Sequence, residues 1–138
     1  FADTQVPYGV FYLGEYNLTL AGLMLVDHHP DPAYEREYHQ TSRLLYDAFM
    51  DSPSAHLDTF PGHAWPADNV PALYSLVVHD RLYGTTYSQA ATRWVTQMAA
   101  ILDAETGLMA SKIDYQSGEA LDVPLNRSGY HRSSLLPP

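Results

Sequence analysis

Cysteine is absent from this 138-residue chain. That excludes disulfide frameworks, thiol nucleophiles and cysteine-ligated zinc, and it leaves the compartment open. Positive charge is scarce. Seven Lys and Arg are scattered among 16 Asp and Glu, giving a formal charge of −9 and a pI near 4.9. No basic stripe exists to neutralise phosphates, so neither a nucleic acid nor an anionic membrane surface is expected as a partner. There is no phosphate-cradling or dinucleotide glycine fingerprint and no His-Glu-x-x-His pair. No charged leader with a cleavage site is visible either, so no signal peptide is read and localisation stays open. The chain begins with Phe1, which reads as a processed, trimmed or partial chain.

What is present suits one domain. The composition is 46% hydrophobic, and the eleven tyrosines suit apolar walls that need a hydroxyl. The stretch from Val6 to Val26 nears the ~20 residues that span a bilayer. It carries Glu15, Asn17 and Thr19, and a mid-segment carboxylate is costly in lipid, so it reads as a core helix.

Periodicity predicts four helices and a hairpin. The first runs from Tyr8 to Val26, apolar on almost every face, with Pro7 near its first turn and Gly9, Gly14, Ala21 and Gly22 within it. Asp31 and Pro32 supply an N-cap and first position for the second helix, which runs to about Met50 with Tyr34, Tyr38, Leu45 and Phe49 on one side. The third, from Asn69 to Tyr83, is again apolar on most faces and ends at Gly84. The fourth is capped by Thr85 and Thr86 and runs to about Asp103, with Trp94, Val95, Met98 and Ile101 together. From Gly107 to Val123 a short β-hairpin is expected, turning at Gln116, Ser117 and Gly118. Residues 124–138 read as an irregular tail.

A fully apolar helix followed by an amphipathic one, then the same again, predicts two helical hairpins over 6–103. Inner helices would be covered on all sides and outer helices would be wet on one face. That is an all-α unit of α/α hairpin repeats, closing into a toroid or forming an open array. An ordinary four-helix bundle would give all four helices comparable polar faces.

The run from Asp68 to Gly118 resembles the middle of the linalool dehydratase/isomerase family. The matching residues are Asp80, Arg81, Leu82, Gly84, Thr85 and Tyr87, then Arg93 and Trp94, then Ser117 and Gly118. Upstream, Tyr12, Gly14, Asn17 and Leu18 are similar to the family's first active-site helix. The resemblance spans roughly Val6 to Gly118. It implies a piece of an (α/α)6 toroid with a central active site and cofactor-free acid/base dehydration or isomerisation of a monoterpene alcohol. This chain would hold two of the six hairpins. The family has a catalytic histidine where Glu15 stands, and cysteines in the loop before the third helix, where Asp68 is the nearer match.

Glu15 is the sole charged residue of the first helix. Buried, it would have a raised pKa suited to acid/base work. It also reads as a structural carboxylate bonded to a neighbouring Tyr, Asn17 or backbone. Asp68 and Asn69 stand at the head of the third helix, where either could be its N-cap. Alternatively Asp68 is the partner carboxylate across a pocket from Glu15, a pairing that suits dehydration, isomerisation or glycoside hydrolysis. Trp65 and His63 would then line the entrance, although Trp65 could simply staple the loop and His63 could be a surface residue. Tyr8, Tyr12 and Tyr16 form a stripe at i, i+4, either packing or an aromatic substrate wall.

No metal is expected, because His28, His29 and His79 do not converge at ligand spacing. The resemblance implies no cofactor. Asn17-Leu18-Thr19 and Asn126-Arg127-Ser128 are formal glycosylation sequons, the first inside a helix. Three readings follow: an acid/base lyase or isomerase acting on a small alcohol, a carbohydrate-active toroid, or a non-catalytic piece that pairs with itself or with the rest of a toroid.

Overall fold

The structure, a computed structural model, describes residues 9–122. It is all-α with one small sheet: α1 (Gly9–Val26), α2 (Pro32–Asp51), β1 (His63–Ala64), α3 (Pro66–Tyr83), α4 (Gln89–Ala100) and β2 (Ile113–Asp114). Tyr8 and the tail at 124–138 lie outside the described residues.

The caps largely follow the sequence. Asp31 accepts the Ala33 amide at 2.8 Å and Pro32 opens α2. The buried stripe of α2 is Tyr38, Ser42, Leu45 and Phe49, while Tyr34 stays exposed. Gly84 closes α3 in the left-handed conformation, φ 68°, its amide on the Asp80 carbonyl at 2.8 Å.

Two helix starts differ from expectation. α3 begins at Pro66, three residues early, with Trp65 at the cap position and no side-chain cap bond. Pro66 is suited to the first turn, and the Asn69 amide is used elsewhere. α4 begins at Gln89 rather than after Thr86, and it ends at Ala100. Asp80, at the end of α3, takes the Tyr87 amide at 2.7 Å, the Ser88 amide at 2.8 Å and the Thr85 hydroxyl at 2.6 Å. The preceding helix therefore caps the next one, and residues 85–88 stay in the connection. The Asp80–Thr85–Tyr87 motif is a turn-closing device. Arg93 is another: its guanidinium donates to the Phe49 and Ser52 carbonyls, both at 2.6 Å, finishing α2 from α4.

α1 and α3 run parallel and adjacent. Gly14 lies against Ala72, and the Asn17 amide donates to Ser75 Oγ at 2.8 Å. A β-carbon at Gly14 would stand 2.9 Å from the Ala72 nitrogen, so glycine is what permits this approach. In an up-down four-helix bundle the first and third helices sit diagonally; here their contact is the most extensive between elements among the described residues. Asn17 also donates to Ser42 Oγ at 3.0 Å, and the Tyr38 hydroxyl donates to the Ser75 carbonyl at 2.7 Å. This buried network fixes the register of three helices, and it leaves the Asn17 sequon with no exposed amide. α1 is long and apolar enough to span a bilayer, and these contacts account for it as a core helix.

The loop from Ser52 to Thr59 is almost wholly buried, which is unusual for a connection. Side chains serve its backbone. Asn69 accepts the Leu57 amide at 2.8 Å and returns a bond to the Leu57 carbonyl at 3.1 Å. His56, fully buried, meets the Ser54 carbonyl with Nδ1 at 2.8 Å.

The expected hairpin is present in shortened form. It turns at 114–118 with Gly118 at φ 74°, and Ile113 bridges Ala120. Its principal partner was not foreseen: β2 pairs antiparallel with β1, His63 opposite Asp114.

One expectation is overturned. The inner helices are not covered on every side. Phe11, Tyr12, Glu15 and Thr19 of α1 are exposed, as are Ala67, Val70, Tyr74 and Arg81 of α3. Among the described residues α2 and α4 are the helices that flank α1 and α3, and nothing lies over the far side. α2 and α4 do keep one wet face each, with Val95 on it.

Candidate functional site

The uncovered side of the α1/α3 layer is the first candidate. Tyr12 is 63% exposed and stacks on Tyr16, ring centroids 6.4 Å apart and 3° from parallel. Tyr74 is 55% exposed on α3, and Phe11 of α1 and Val70 of α3 are exposed as well. Glu15 shares the Tyr12 and Thr19 side of α1, and Glu37 of α2 reaches the Tyr16 hydroxyl beside the stacked pair, so the aromatic rings have carboxylates next to them. The premise of a buried Glu15 is not met in this chain: its side is open to solvent.

Asp68 is not across a pocket from Glu15. Because α3 starts at Pro66, Asp68 falls in its first turn on the stripe of Ala72, Ser75 and His79, which is the buried stripe. Its carboxylate accepts the Thr59 hydroxyl at 2.9 Å. The two acids therefore point to opposite sides of the layer. Asn69, fully buried, belongs to the Leu57 loop. Trp65 meets Phe60 edge-on, centroids 4.9 Å apart, which staples the loop. His63 lies in β1 with Nδ1 buried and unpartnered. Of the sequence-derived residues, the structure brings Glu15 and Tyr12 together on one face. It places Asp68, Asn69, His63 and Trp65 in and around the loop that precedes α3.

A second constellation escaped sequence reasoning. His39 of α2 and His79 of α3 meet, Nδ1 to Nε2, at 2.8 Å. His79 Nδ1 contacts Thr85 Oγ1 at 2.8 Å, and Thr85 donates to Asp80. Tyr38, Tyr83 and Tyr87 surround the pair, with Tyr83 4.4 Å from the His39 ring. Burial, reinforced by the neighbouring His39, pushes His79 down to about 4, against the pull of Asp80. Burial opposes ionisation of Asp80, but hydrogen bonds from Ser88, Thr85 and Tyr87 outweigh it and hold the carboxyl below its ordinary range. The Tyr83 hydroxyl donates to Glu35 at 3.1 Å; burial first and this bond second push Tyr83 up to about 12. The available signal was Asp80 with Thr85 in one motif, but nothing local pointed to His39.

Among the described residues no three His, Asp or Glu side chains converge so as to hold a metal ion. Compared with models of known protein families, the chain matches none.

Proposed function

We propose that this chain forms two hairpins of an α/α toroid similar to linalool dehydratase/isomerase, and that the α1/α3 face is a wall of its substrate cavity. The observation that carries this reading is the parallel, glycine-mediated contact of α1 with α3, outer helices on one side and an uncovered side bearing exposed aromatic rings and the Glu15 carboxylate on the other. In that reading further hairpins, or another copy, close over the face and desolvate Glu15.

The chemistry needs one carboxyl group. Protonated Glu15 gives its proton to the hydroxyl of a small allylic alcohol, and the C–O bond breaks with loss of water. The resulting carboxylate then takes a proton from the adjacent carbon, leaving a diene and restoring the acid. The aromatic rings of Tyr12 and Tyr74 face the developing carbocation, an arrangement that stabilises cations. Asp68 has no part in it. That also removes support from a carbohydrate-active reading, because glycoside hydrolysis requires two carboxyl groups flanking one bond.

The solvation of Glu15 in this chain favours a second reading, a non-catalytic unit that associates through the same face. An assay with an allylic terpene alcohol, following diene by gas chromatography, separates the two. The catalytic reading expects turnover that Glu15→Gln abolishes and Asp68→Asn leaves intact. Turnover that survives Glu15→Gln removes Glu15 from the mechanism.

A further inference from the structure

Proton positions along the Asp80–Thr85–His79–His39 chain follow from donor chemistry. An ionised Asp80 can only accept, so the Thr85 hydroxyl gives it its proton, at 2.6 Å. The Thr85 oxygen must then accept from His79 Nδ1–H. His79 is neutral at pH 7, so its Nε2 carries a lone pair. The proton in the 2.8 Å contact therefore belongs to His39 Nδ1. Neutral His39 is held as the Nδ1–H tautomer, the less populated form of a free histidine, with its basic lone pair on Nε2. His39 is half-buried. Its Nε2 makes no bond among the described residues and is not one of the fully buried unpartnered atoms, so water can reach it.

We propose that His39 Nε2 is an activated nucleophile, a second reactive site where α2 meets α3, for neutral activated acyl compounds such as anhydrides and activated esters. Donation from Nδ1–H to His79 raises electron density at Nε2 and fixes the ring's orientation, as orienting partners do for other working histidines. Glu35, one turn earlier on α2 and bonded to Tyr83, and the chain's net charge of −9 disfavour anionic substrates. The Nε2 lone pair attacks the acyl carbon, and the bond to the leaving group breaks with its electron pair. The acylated ring passes its Nδ1 proton to His79 Nε2, while His79 Nδ1–H goes on donating to Thr85 and the Asp80 charge offsets the imidazolium. Water then adds to the acyl carbon and Nε2 departs with its electron pair as the Nδ1 proton returns from His79; the acyl group leaves as the carboxylic acid and water's other proton goes to the expelled leaving group. His79, Thr85 and Asp80 are positioning residues.

The test treats the intact chain with diethyl pyrocarbonate at pH 7 and follows each histidine by peptide mass spectrometry. Exposed His28 and His29 serve as internal references. The expected result is modification of half-buried His39 faster than either reference. Thr85→Val should slow His39 about tenfold, the scale of losing an orienting partner, without changing His28 or His29. Nitrogen-15 imidazole spectra of the unaltered chain should show His39 as the Nδ1–H tautomer. A His39 rate no greater than those of His28 and His29, or an Nε2–H tautomer, overturns the proposal. If Thr85→Val unfolds the chain, seen as new reactivity of buried His56, the tautomer and rates of the unaltered chain decide.

Discussion

Gly14 of α1 lies so close to Ala72 of α3 that a β-carbon on Gly14 would stand 2.9 Å from the Ala72 nitrogen and 3.0 Å from its β-carbon. This contact sets how closely the two helices approach and lets Asn17 reach Ser75, while both helices leave their far face open.

Gly14→Ala should therefore destabilise by about 1–3 kcal/mol, because the clash is with main chain and only a helix shift relieves it. Gly22 is the matched control. Nothing lies within 4 Å of a β-carbon built there, so Gly22→Ala should be neutral or stabilising by up to ~1 kcal/mol through helix propensity. Urea unfolding of the two variants measures the difference, and equal effects would contradict the close approach.

Arg93 completes a different helix from the one it belongs to. Its two bonds at 2.6 Å satisfy the Phe49 and Ser52 carbonyls at the end of α2. Arg93→Ala should cost about 1–3 kcal/mol, the range for orphaning buried acceptors. Arg93→Lys should recover only part of it, since an ammonium cannot present the same planar fork. Urea midpoints of the two variants and the parent provide the comparison.

Acid should begin to weaken the fold near the ordinary histidine range. An unfolded histidine binds a proton below about 6.5, whereas folded His79 waits until about 4. Between those values the unfolded chain holds more protons, so stability is full above about 6.5 and falls as pH drops, by up to ~3 kcal/mol. Buried His56, also pushed down by desolvation, adds in the same direction. Unfolding free energy measured between pH 7 and pH 4.5 should slope accordingly, and His79→Gln should flatten that slope even though it lowers the plateau.

Local chemistry was legible in the sequence and cross-chain chemistry was not. Asp31-Pro32 and Gly84 announced helix ends because each acts within a few residues of itself. The pair Asp68-Asn69 looked like a cap for the same reason, yet Asn69 gives its amide to Leu57, twelve residues back, and Pro66 starts the helix. His39 and His79 lie 40 residues apart and become neighbours only once α2 docks on α3. Glu15 read as buried because its sequence neighbours are apolar. Apolar composition says that a helix has a face to bury, but it does not say how many of its sides this chain covers.

That uncovered side gives the last prediction. Phe11, Tyr12, Val70 and Tyr74 are large apolar side chains left exposed on α1 and α3, and exposed apolar groups mediate association where they adjoin. Sedimentation velocity should show concentration-dependent self-association, weakened by the double change Tyr12→Ser and Tyr74→Ser. Glu15 supplies the discriminating variant. It lies on the same face, so closing that face desolvates its carboxylate, and an unpaired buried charge opposes the contact. Glu15→Gln should tighten association by about tenfold, and the unaltered chain should associate more strongly as pH falls through the carboxylate range. A weaker dimer on removing the charge would place the contact on another face, and a chain that stays monomeric at high concentration would leave the α1/α3 surface stable in water as it is.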